Sequence, residues 1–227
     1  MKRSFLLVVI ALWTTACGPK LHEYVNNIDS INVRAEREPL SPHVELGKLE
    51  VDQNKDGEVT GKEHAAKNTN QNVRVFEEAF EQRLDAGVRQ QQLITDVART
   101  IRQNVEKNAG PFPLSPQAQW RLVTTISHWG VSTGFSGAAD SYITIRTDLW
   151  SPGDERAWTH YEKCYRDLAP DRFSDRGQIQ MNIHALGAIS DKQIKNTFTE
   201  LAIECGRKIA NELRSDVARA RQKANKE

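Results

Sequence analysis

With 227 residues, and 31 Lys and Arg against 30 Asp and Glu, the chain carries a formal charge of +1 and is 38% hydrophobic and 27% charged. That balance excludes a general bias toward polyanions, and the aromatic residues are not interleaved with a basic stripe, so nucleic acid is not an expected partner. The length suits one domain that buries roughly 70% of the surface its unfolded chain exposes.

Taken in order, Lys2 and Arg3 precede an apolar run, Phe5 to Trp13, that is too short for a permanent membrane span, and Thr14, Thr15 and Ala16 follow it. Such a segment reads as a secretory signal covering residues 1–16. Because Cys17 stands directly after it, the stretch resembles the lipobox of bacterial lipoproteins. That resemblance implies that Cys17 receives a diacylglycerol, becomes the mature N-terminus and is then N-acylated. Two or three acyl chains, at ~0.8 kcal/mol per buried methylene, hold a protein on a membrane essentially for good. Gly18 in place of Asp resembles lipoproteins sent to the outer membrane. The alternative is an ordinary secreted protein cut near Ala16. Residues 17–42 are polar, with Pro19, Pro39 and Pro42 and one apolar cluster at Ile28, Ile31 and Val33, and they read as a tether carrying one edge strand.

The single domain is expected over 43–227. Val44, Leu46, Leu49 and Val51 alternate in two pairs put out of phase at Gly47, the pattern of a bulged strand. The next twelve residues, Asp52 to Glu63, fit D-x-[DN]-x-[DN]-G-x5-E without a substitution. Ca²⁺ takes six to eight oxygens, and the spacing supplies them: side chains of Asp52, Asn54 and Asp56, the carbonyl of Glu58, Thr60 or its water, and a bidentate Glu63. This segment resembles an EF-hand loop, which implies a Ca²⁺ site there. Its flanks differ from an EF-hand, being strand-like before the loop and without a second copy elsewhere. A hairpin whose exposed turn is Asn54-Lys55-Asp56-Gly57 stays open as the alternative.

Val73, Phe76, Phe80 and Leu84 recur at helical spacing; Asp85-Ala86-Gly87 interrupts them, and Ile94, Val97, Ile101 and Val105 resume until Gly110-Pro111. This predicts a helix pair, or one helix with a break. Trp120 to Val131, Ser141 to Trp150 and Arg156 to Cys164 are β-rich and separated by a glycine-bearing loop and the turn Ser151–Asp154, which predicts a three-strand meander. Ile143, Ile145 and Leu149 share its buried face. Ser190 with Gln193 opens a last helix, whose stripe Ile194, Phe198, Leu201, Cys205, Ile209 and Leu213 docks on the sheet. In an oxidising compartment, and with Cys17 acylated, Cys164 and Cys205 are left as a pair; a disulfide between them closes a loop of about 40 residues, worth roughly 3–4 kcal/mol. Two buried reduced cysteines are the alternative. Arg214 to Lys226 reads as a solvated basic helix end, ahead of a patch for anionic lipid or protein.

The order of elements predicts an α+β fold, helices on one face of a largely antiparallel sheet. Its layout is similar to that of small auxiliary lipoproteins of envelope transport systems, which implies membrane anchoring and an envelope protein partner. The histidines are scattered; His128 and His160 fall on predicted strands and could meet. Trp120, Trp129, Trp150 and Trp158 read as core rather than as a ligand groove. No recognisable constellation points to catalysis. The expectation is a non-catalytic, lipid-anchored envelope protein on the periplasmic face of the outer membrane. A calcium-responsive binding protein comes second and an enzyme third.

Overall fold

The computed structural model describes residues 20–46, 61–107, 110–133, 139–168, 183 and 186–226, with side chains from residue 70 onward in the helix that covers 61–87. Cys17 and Asp52, Asn54, Asp56, Glu58 and Thr60 lie outside these residues, and of Glu63 only helical backbone is described.

The elements run α1 (Leu21–Tyr24), a 3₁₀ turn (Val25–Asn27), β1 (Ile31–Ala35), β2 (His43–Glu45), α2 (Gly61–Gly87), α3 (Gln90–Lys107), β3 (Trp120–Thr133), β4 (Ala139–Trp150), β5 (Arg156–Asp167) and α4 (Asp191–Ala224). The fold is α+β, as its pattern of elements predicts. β3, β4 and β5 form an antiparallel meander, and β1 and β2 lie end to end along the other side of β3, both parallel to it. The predicted helix pair is present, broken between Gly87 and Gln90. The long polar run before Val73 belongs to α2, which begins at Gly61.

Period-2 alternation places Ile143, Ile145 and Leu149 on one face of β4, each fully buried. In β3 a bulge between Ile126 and His128 adds one residue, so that both Ile126 and Trp129 face inward although they are three apart. The helices cover this inner face. Trp129 meets Phe198 of α4 edge to face at 5.7 Å. Ser190 caps α4 by accepting a hydrogen bond from the Gln193 backbone N–H at 3.2 Å. The predicted stripe of α4 is buried throughout, and Cys205 is joined to Cys164 of β5 with Cα atoms 5.9 Å apart.

Two expectations are corrected here. Of the tether expected over 17–42, the described residues 20–42 are not a tether: Leu21, Val25, Ile28, Ile31 and Val33 are buried in the common core, and β1 pairs Ile31–Ala35 with Trp120–Thr124. The edge strand expected there is real, but it is built into the domain. The C-terminal part of α4 is not merely a solvated end, since Val217 and Ala220 continue the buried stripe and Arg221 donates to the Pro111 carbonyl at 2.7 Å. Of the bulged strand expected over Val44 to Val51, the first part lies in β2 (His43–Glu45), and Gly47, Leu49 and Val51 lie outside the described residues.

Candidate interaction surface

One face of the sheet is covered by helices, and the other carries its own chemistry. On β4 the outward positions are Tyr142, Thr144, Arg146, Asp148 and Trp150, and the register sets Tyr165, Lys163, Tyr161 and Thr159 of β5 opposite the first four. Cross-strand neighbours on one face are close enough to interact. Tyr161 and Tyr165 are 59% and 48% exposed, among the most exposed large apolar side chains described.

Asp148 organises the middle of this face. Its carboxylate is buried and accepts from the Thr159 hydroxyl at 2.6 Å. Arg146 Nε lies 2.8 Å from it in a close ion pair, and Arg156 Nε lies at 3.5 Å. Each guanidinium also stands over an aromatic ring, Arg146 over Tyr161 at 5.9 Å and Arg156 over Trp150 at 4.9 Å. Lys163 Nζ sits between Tyr142 and Tyr165, 5.3 and 5.0 Å from their centroids. Cation–π contacts of this kind hold long side chains in place and leave their charged ends in water. Arg146 and Arg156 share the carboxylate of Asp148 and Lys163 stands on the same face, so among the described residues this central region has an excess of positive charge.

The end of the face beyond the tyrosines is acidic. Glu45, Ser132, Asp140 and Asp167 fall in one row across β2, β3, β4 and β5. Partial burial, hydrogen bonding to Asp167 and the charge of Asp167 together push the Asp140 carboxyl up to about 6. Burial first, and then the charges of Glu45, Tyr165 and Glu81, raise the Tyr142 phenol.

His128 and His160 do not meet. His128 pairs with Thr144 and faces outward, whereas His160 pairs with Thr147 and faces the helices, where it stacks on Trp158 and contacts Glu162 at 3.1 Å. Trp120, Trp129 and Trp158 are core, as expected; Trp150 instead belongs to the open face. The tyrosine and arginine positions of that face escape a search for catalytic or metal motifs. Their signal is the strict alternation Tyr142, Thr144, Arg146, Asp148, Trp150, read on the side opposite the buried isoleucines. Among the described residues no cluster of three or more metal-ligating side chains is present. No described helix is long and apolar enough to cross a membrane.

The chain matches no family model, and no curated protein matches it. Among solved structures it is similar to protein XCC0632 of the DUF330 family from Xanthomonas campestris, at 7% identity and a TM-score of 0.36, over 56% of this chain and 65% of that one. The chain thus spans less than two-thirds of that protein. The PelC dodecamer from Paraburkholderia phytofirmans follows at 13% identity and a TM-score of 0.31, over 54% and 74%. A minor lipoprotein from Acinetobacter baumannii follows at 11% and 0.29, over 52% and 85%. Likenesses this partial assign no function.

Proposed function

We propose that this chain is a non-catalytic protein of the bacterial cell envelope, anchored through acyl chains on Cys17 to the periplasmic face of the outer membrane, and that it binds an acidic envelope protein through the open face of its sheet. The observation that carries this reading is the asymmetry of the sheet. One face is filled by helices, and the other presents exposed Tyr161 and Tyr165 beside Lys163 and the two arginines that share Asp148. Aromatic and arginine side chains held rigidly by their neighbours are what interface centres are made of.

Photo-crosslinking residues placed at Tyr161, Tyr165 and, on the exposed side of α4, Asn211 test this in cells. Crosslinks to one protein from the two sheet positions, absent from Asn211 and lost in Arg156→Glu with Lys163→Glu, are the expected result. Equal crosslinking from all three positions would sink the reading. Labelled palmitate entering the wild type but not Cys17→Ala tests the anchor separately.

The pattern Asp52–Glu63 favours a second reading, in which Ca²⁺ at that loop changes partner affinity. A calorimetric Ca²⁺ titration beside Glu63→Gln with Asp52→Asn decides it. Binding at one site that the substitutions remove would support it, and no heat up to several millimolar, the weak end for such loops, would rule it out.

A further inference from the structure

We propose that the end of the protein formed by α1 and the last turns of α4 lies directly against phospholipid head groups, so that the body is mounted flush on the membrane. This rests on the reading of Cys17 as the acylated residue. The argument is one of reach. Leu21 is four residues from Cys17, and an extended chain spans at most about 3.6 Å per residue, so the two are no more than about 14 Å apart. The head-group layer takes up roughly 5–8 Å of that distance. There is no slack to recover beyond Leu21, because Leu21, Val25 and Ile28 are buried in the core.

What stands beside Leu21 suits an interface. His22 Nε2 is 3.0 Å from Lys223 Nζ near the end of α4, and Lys20 is exposed at the start of α1. A cavity of about 270 Å³ opens here, lined by Leu21, His22, Trp158, Asp216, Arg219 and Lys223. Tyr24 packs edge to face on Trp120 at 5.7 Å and donates its hydroxyl to Glu155, an apolar ring with a polar tip of the kind enriched at head-group depth. The charges of this end are mixed. Arg219 pairs with Asp216 and Glu212, and Lys20 with Glu23. The seat is therefore held by the short covalent link and not by a cationic patch, and it should persist at high salt.

The test uses the full acylated protein in phosphatidylethanolamine–phosphatidylglycerol vesicles doped with a nickel-chelating lipid. Nitroxide labels are placed at Lys226→Cys, two residues past the end of α4, and at Lys192→Cys, at its start. Paramagnetic relaxation by the lipid-borne nickel is expected to be at least several-fold stronger at 226 than at 192, in low and high salt. Inserting twelve Gly/Ser residues after Gly18 should abolish the difference. Equal relaxation at both sites in protein whose Cys17 is acylated by mass overturns the flush seat alone. An unmodified Cys17 overturns the anchor and the seat with it.

Discussion

Asp140 and Asp167 face each other across β4 and β5, and their pairing makes stability depend on pH in a direction the structure fixes. The folded Asp140 carboxyl sits near 6 against an ordinary 3.8, so the folded state holds that proton more tightly than the unfolded one. Its contribution is fully present below about pH 4 and is lost as pH rises through about 6. Thermal melts between pH 4 and 7 should show this decline, and Asp140→Asn should flatten it and be the more stable protein at pH 7. The gain is well below the full value of the shift because the site is partly in water. A wild-type profile that instead rises over this range would contradict the assignment. At Gly206 two residue-scale effects oppose each other. Helix propensity favours alanine by about 1 kcal/mol. A Cβ there, however, would sit 2.8 Å from both the Val97 carbonyl oxygen and Thr100 Cβ, where α3 crosses α4. Overpacking of a buried contact typically costs about 1–3 kcal/mol, so Gly206→Ala is expected to destabilise, read as a lower denaturant midpoint.

At the scale of elements, most of the fold was legible because its strands and helices carry clean periods. The meander announces itself through β-branched and aromatic residues between two turn signals, and α4 through six apolar residues on one stripe. The rest was hidden for physical reasons. The buried end of α4 uses Val217 and Ala220, and alanine contributes little to a hydropathy pattern although it packs closely. The start of α2 is polar, so no stripe marks it before Val73. The open face of the sheet was visible only as the complement of the buried one. The disulfide between β5 and α4 was legible from compartment and number, and it closes a separation of 41 residues. Replacing Cys164 and Cys205 by alanine should therefore lower stability by roughly 3–4 kcal/mol, measured by chemical denaturation without reductant. A loss below about 1 kcal/mol would mean that the packing of Phe198, Leu201 and Ile209 on the sheet already restrains α4.

At the scale of the whole molecule, the segment before Val44 decides where the domain begins. Three prolines and a polar composition suggested a tether, and its apolar residues were too few in any one window to show a period. Leu21 and Val25 are spaced as on a helix and Ile31 and Val33 as on a strand, each signal two residues long. In the structure these short signals add up, because α1 packs on α4, β1 extends the sheet beside β3, and the Gln90 side chain fastens the connection to β2 by donating to the Glu38 carbonyl at 2.8 Å. Five buried apolar side chains lie in 20–35: Leu21, Val25, Ile28, Ile31 and Val33. At about 1.5–3 kcal/mol each their burial is worth on the order of 7–15 kcal/mol, which matches the whole net stability of a typical domain. A chain starting at Val44 should consequently fail to fold, with no cooperative melt and protease-sensitive throughout, whereas one starting at Lys20 should melt cooperatively. If the shorter chain also melts cooperatively within a few degrees of the longer one, α1 and β1 are accessory. The flush seat would then lose its rigid connection to the body, since Leu21 could detach and lengthen the link to Cys17.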